Sequence, residues 1–178
     1  MDSTEKNYIG TLEIVLAVFC ILIPVFLRIA DDGAPFRPSI SDYVLMERGH
    51  VFGMVLTIAA MLFIYNGVIQ ITLNSGYSLL SGNFWKSHGY NIFLGFLLFG
   101  VLLFPLNVCP KTHYALAILF FVGSSFSIAF FGKDSDRIIR YIIAVLSIIA
   151  LVVHIIDKNL INLFWAEWLA LFVIGIRG

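Results

Sequence analysis

The sequence predicts an all-α polytopic membrane protein, a bundle of six transmembrane helices with a long ordered connection between the first and second. Three observations predict it. Apolar residues make up 60% of the 178-residue chain and charged residues only 12%, whereas a soluble domain keeps about a quarter of its residues charged. The apolar residues gather into six continuous runs, each close to the roughly 20 residues that a helix needs to cross a bilayer. None of the runs alternates with period two, which excludes barrel strands. Lipid offers the backbone no hydrogen-bond partners, so a crossing run must be helical.

The spans follow in order, all within one transmembrane domain covering 1–178. The first is 9–29, with Glu13 near its start and Pro24 near its end. The second is 50–73 and the third is 90–108, with Pro105 in its last turn. The fourth is 114–131, the fifth 138–156 and the sixth 160–176. The leading MDSTEK lacks a basic region and no small-residue cleavage site follows, so the first run reads as an uncleaved span rather than a signal peptide. Cys20 lies mid-span and Cys109 in a connection, so the sequence supports no disulfide framework. Formal net charge is zero, which gives no reason to expect a nucleic-acid partner.

Six crossings place both termini on one side. That side holds Lys6, Lys86, Lys133, Arg137, Arg140 and Arg177; the other holds Arg28, Arg37, Arg48, Lys111 and Lys158. The excess of cations on the terminal side predicts cytoplasmic termini in an inner, multi-pass membrane location. The connection 74–89 carries Tyr77, Phe84 and Trp85 among small polar residues, a mix that suits a segment lying at the membrane interface.

The side opposite the termini collects the unusual polar residues. The connection PFRPSISDYVLMERGH, 35–50, supplies Arg37, Ser39, Asp42, Arg48 and His50. Its prolines favour extended backbone, and Ser39, Ser41 and Asp42 can cap a helix or hold a turn. The expected product is an ordered lid leading into a short helix, with Tyr43 as an interfacial anchor. His113 opens the fourth span from that side and His154 closes the fifth. Glu167 lies about 8–12 Å deep in the sixth. A carboxylate within a span faces protein or water and needs a partner; Arg37, Arg48, His50 and His113 are the candidates. Trp165 and Trp168 flank it. A zinc site from His50, His113 and His154 with Asp42 or Glu167 is chemically reasonable, but no HxxxH or HExxH pair places two ligands on one helix face. No cofactor is expected. In the fourth span His113, Ala117, Phe120, Ser124 and Ser127 share one face, a packing stripe or a cavity lining. Asn66 and Gln70 lie four apart in the second, suited to interhelical hydrogen bonds.

On the pieces PFRPSISDY, LLFP, HYALAILFF and FWAEWLAL, the chain resembles a family of uncharacterised bacterial six-span membrane proteins. More remotely it is similar to eukaryotic DRAM/Sfk-type six-span proteins. By that resemblance Arg37, Ser39, Asp42, His113, Tyr114 and Glu167 occupy motif positions. VLMERGH departs from the tyrosines that usually follow the motif. The family label implies no activity.

Three functions are therefore open. The leading one is a non-catalytic bacterial inner-membrane protein that binds or senses lipid or a small molecule, or serves as the membrane subunit of a larger assembly, including a stress or phage-response system. Its expected partners are membrane lipids and, as for many proteins of this size, further copies of itself. The second is a membrane-embedded lipid-head-group hydrolase using Asp42 or Glu167 with His113, with or without zinc. The third is an oligomeric channel or transporter lined by the serines of the fourth span.

Overall fold

The computed structural model describes residues 3–32, 34–75, 89–131, 137–157 and 162–175. The expected interfacial segment at 74–89 falls largely outside them, as does His88. Among the described residues there are six α-helices: α1 (Ser3–Ala30), α2 (Gly49–Ser75), α3 (Tyr90–Leu103), α4 (Pro110–Phe131), α5 (Arg137–Ile156) and α6 (Leu163–Gly175). A short 3₁₀ helix, Ser41–Leu45, stands between α1 and α2, and no strand occurs among the described residues. Each helix packs against the next in chain order, and α6 returns onto α1, closing a ring. An inner contact joins α4 to α6.

Within α1 and α2, the stretches Asn7–Ala30 and Gly49–Leu73 are long and apolar enough to cross a membrane. Tyr90–Leu103, Ile138–His154 and Leu163–Phe172 are shorter apolar helices. The boundaries depart from expectation where caps and prolines decide them. Helix α3 ends at Leu103, not at Val108, because Pro105 cannot continue the ladder. Helix α4 starts earlier than expected, at Pro110, whose missing N–H costs nothing in a first turn. Helix α6 starts at Leu163, where the Asn162 side-chain oxygen accepts from the Phe164 N–H at 3.2 Å. After α1, Asp32 takes φ 50°, a left-handed turn that Asp tolerates better than most residues.

One core joins α1, the connection, α2, α3, α4 and α6. Cys20 and Leu27 from α1, Tyr43 from the connection, Phe63 from α2, Leu98 from α3, Phe120 from α4 and Phe164 from α6 share it. Phe63 and Phe120 meet edge to face at 5.6 Å between centroids. Helices α2 and α3 approach most closely at two glycines. A Cβ on Gly95 would lie 2.5 Å from Ile64 Cγ1 and 2.7 Å from the Ala60 carbonyl oxygen; one on Gly67 would lie 2.9 Å from the Ile92 nitrogen. Beside this seam Asn91 donates to Asn66 at 2.7 Å, and Gln70 donates to Glu13 of α1 at 2.7 Å. The expected role of Asn66 and Gln70 as interhelical bonds matches this geometry.

Large apolar side chains are also left outside on every helix. Ile14, Val18 and Phe26 of α1, Met54 and Met61 of α2, and Phe93 and Phe96 of α3 are exposed. So are Ile118 and Phe126 of α4, Ile142, Val145 and Ile149 of α5, and Leu169 and Phe172 of α6.

Candidate functional site

The connection between α1 and α2 folds down onto the first turn of α6. Two bonds hold it there. The Phe164 N–H donates to the Pro38 carbonyl at 2.9 Å, and the Ile40 N–H donates to Glu167 Oε2 at 2.6 Å. Glu167 is 4% exposed. Its partner is thus a backbone amide of the connection, not Arg37, Arg48, His50 or His113, the candidates that charge suggested. The physical reason is proximity: a helix N-terminus and an extended segment bring bare backbone groups together, whereas the cations pair elsewhere.

Arg37 turns to Asp31, donating from Nε at 2.8 Å and from Nη2 at 2.9 Å in a two-pronged pair. That hydrogen-bonded guanidinium holds the Asp31 carboxyl below its ordinary range, and Asp31 in turn raises Arg37. The Arg37 guanidinium also lies 5.7 Å over the Tyr43 ring. Tyr43 is fully buried, so it is not the expected interfacial anchor, and burial pushes its phenol up. Proline on either side of Arg37 holds the chain extended, which lets the ring of Tyr43 turn inward against Phe164 at 6.2 Å. Ser39 and Asp42 close on each other. The Ser39 hydroxyl donates to Asp42 Oδ2 at 2.8 Å and accepts from the Asp42 N–H at 3.1 Å, holding the turn that leads into the 3₁₀ helix. Arg48 forms an exposed pair with Asp32 at 3.2 Å, and His50 is exposed at the start of α2.

His113 lies apart from this cluster. It is 1% exposed, and its Nδ1 lies 2.9 Å from the Phe104 carbonyl oxygen and 3.2 Å from that of Val101. Pro105 has no N–H to give the Val101 carbonyl, four residues back, so the imidazole N–H replaces it. Tyr114, 46% exposed, stands edge-on to the His113 ring. His154 is partly buried in the last turn of α5. Among the described residues no three of His, Cys, Asp and Glu gather in a way that could hold a metal ion. His50, His113 and His154 therefore do not form the zinc set considered above. Of the polar residues that the sequence places on one side, Arg37, Ser39, Asp42 and Glu167 come together at the docked segment, whereas His113 is bonded to α3 carbonyls and His50 is exposed at the start of α2.

Beneath Ile40 and Ser41 lies an internal cavity of about 40 Å³, whose walls include Cys20, Phe52, Leu98, Phe120 and Glu167. That is room for about two water molecules, not for a lipid. On the α4 face Ala117, Phe120, Ser124 and Ser127 are buried with His113. The Ser124 hydroxyl donates to the Phe120 carbonyl of its own helix at 2.7 Å, and Ser125 meets Ser147 of α5 at 3.2 Å.

A family model described as a family of unknown function, DUF7103, matches residues 22–177. The chain belongs to the DUF7103 family. The DUF7103 match takes in the whole docked connection, His113 and all of α6. No curated protein and no solved structure matches the chain.

Sequence reasoning missed two residues of this region. Asp31 is the partner of Arg37; two adjacent acids at the end of α1, six residues before an arginine, were the available signal. Phe36 was the other. Its ring lies 5.0 Å from Phe164 and 5.4 Å from Trp165, with the Arg28 guanidinium 5.1 Å above it. Trp165 is 47% exposed and stacks with Trp168 at 5.3 Å. The Trp168 indole N–H donates to the Ile21 carbonyl of α1 at 3.1 Å.

Proposed function

We propose that this DUF7103 protein is a non-catalytic integral membrane protein of six spans in a bacterial inner membrane. Both termini are cytoplasmic, and the helical ring engages membrane lipid directly. The observation that carries the reading is the apolar exterior. Exposed Ile, Leu, Val, Met and Phe side chains recur on all six helices. A soluble monomer keeps its largest apolar patch to roughly 300–600 Å², and an apolar exterior on every helix supports contact with lipid. Helices α3 and α6 are short for a roughly 30 Å hydrocarbon core; docked, hydrogen-bonded connections at their ends complete the crossing. The remote likeness to DRAM/Sfk-type proteins belongs to the same proposal, as a shared six-span arrangement.

The bonding of the candidate residues supports binding or structural work over acid–base chemistry. Arg37 is engaged with Asp31, Ser39 with Asp42, Arg48 with Asp32, His113 with α3 carbonyls and Glu167 with the Ile40 amide. The test is fractionation and topology. The protein is expected to remain in the membrane pellet after an alkaline carbonate wash, and reporters fused to either terminus are expected to report the cytoplasm. Release into the supernatant would overturn the membrane reading, and opposite reporter signals would overturn the six spans.

A further inference from the structure

The cavity beneath the docked connection is bounded from every side of the core. Helices α1, α2, α3, α4 and α6 and the connection each supply part of its wall. That wall is apolar almost throughout, and Ser41 and Glu167 turn almost no polar surface into it. Glu167 gives Oε2 to the Ile40 N–H instead. A buried water needs about two to four polar partners, so a space of this kind stays dry. Small side chains face it from two helices, Ala59 of α2 and Ala117 of α4. The rings beside them, Phe63 and Phe120, hold each other edge to face at 5.6 Å between centroids. An empty apolar space forfeits dispersion contacts along its wall, and an apolar guest restores them.

We infer that this cavity is a binding site for one small apolar molecule and that its occupation holds the connection down. The volume of about 40 Å³ sets the guest at about two heavy atoms, the size of dioxygen, with a single xenon atom as a fitting probe. The wall sets the polarity, because a guest that needs hydrogen bonds finds almost none. Ile40 and Ser41 are part of that wall, so the guest keeps all its contacts only while the segment is docked. Binding and docking are then linked, each favouring the other. The inference goes beyond the membrane reading and does not depend on the number of spans.

Xenon tests both halves. Crystals of the full chain under xenon pressure are expected to show one xenon atom in the cavity. In solution the reporter is Cys20, which is fully buried and lines the same space. In a Cys109→Ser background it is expected to react more slowly with a small thiol reagent under xenon than under helium at equal pressure. The slowing is about two-fold at half-saturating xenon. Ala117→Val adds bulk to the wall and is expected to remove both the xenon site and the slowing. Ala59→Val fills the same space from α2 and repeats the test where Ala117→Val does not fold. A wild-type cavity that stays empty under xenon, or that holds ordered water, overturns the inference. Xenon seen in the cavity with unchanged Cys20 labelling overturns the link to docking. Slowing that persists undiminished in both filled variants overturns it too, because the gas then acts outside the cavity. A protein washed out of the membrane by carbonate loses the membrane reading and leaves this test standing.

Discussion

Replacing Glu167 by alanine is the sharpest perturbation of the docked connection. The Ile40 N–H is buried and donates at 2.6 Å to the Glu167 carboxyl. Without an acceptor that N–H is stranded, at a cost of about 1–3 kcal/mol. The shortened side chain also enlarges the cavity of about 40 Å³ under the segment, which works in the same direction. A middle value of about 2 kcal/mol raises the fraction of molecules with the segment lifted by about 30-fold. Cys20 reports that event, because it is fully buried and lines the same cavity as Glu167. Labelling by a small thiol reagent in a Cys109→Ser background follows the open fraction when closing is faster than reaction. Glu167→Ala is expected to label about 30-fold faster than its parent. Glu167→Gln keeps an oxygen that can accept from Ile40 and is expected to label only a few-fold faster. Wild-type labelling rates in Glu167→Ala would refute the idea that this bond holds the segment down. Equal acceleration in both variants would show that charge, not the acceptor, is what matters.

Other expectations follow from single contacts. Gly95→Ala places a methyl against the Ala60 carbonyl, which cannot rotate away, so thermal unfolding in micelles is expected to register a loss of about 1–3 kcal/mol. An unchanged midpoint would mean that α2 and α3 separate at little cost. His113→Ala removes the donor to the Val101 and Phe104 carbonyls and is expected to cost about 1–3 kcal/mol, with faster amide exchange across 104–109. Asp31 gives a pH signature. Its carboxyl is held low in the folded protein by Arg37, so the pair stabilises fully above the unfolded value of about 3.9 and is lost as pH falls through the lower folded value. Melting curves across that acid range are expected to flatten in Asp31→Asn, and an unchanged slope would place the acid sensitivity elsewhere.

The helical class and the order of the helices were legible because continuous apolar runs admit one reading in lipid. The docked connection was half legible. Pro35, Pro38, Ser39 and Asp42 announced an ordered turn, and Glu167 announced a need for a partner. What composition could not supply was the partner's identity. Charge alone favours Arg37 or Arg48 for Glu167, but both cations find nearer acids in Asp31 and Asp32, and a backbone amide takes the buried carboxyl. Tyr43 misled for a related reason. Tyrosine beside a span suits the interface, yet the docked segment carries its ring into the core. The close approach of α2 and α3 was illegible because Gly67 and Gly95 sit on different helices, and no spacing within one helix marks them as partners.

One rule links the buried polar side chains that looked most like chemistry. His113, Trp168 and Glu167 each bond a backbone group of a neighbouring element. Pro105 deprives the Val101 carbonyl of its donor, and His113 replaces it. Pro24 cannot donate to the Cys20 carbonyl, and beside that break the Trp168 indole reaches across from α6 to the Ile21 carbonyl. The 3₁₀ helix opens with an Ile40 N–H that faces inward, and Glu167 accepts from it. Where no water is available, such groups cost several kcal/mol each unless another helix satisfies them. Histidine, tryptophan and glutamate are long enough to do so from a neighbouring element. Each repair also ties two elements that the break would otherwise loosen: α4 to α3, α6 to α1, and α6 to the connection. In a helical ring with two proline-interrupted members, polar residues at these depths are thus explained by backbone satisfaction before any reaction is invoked.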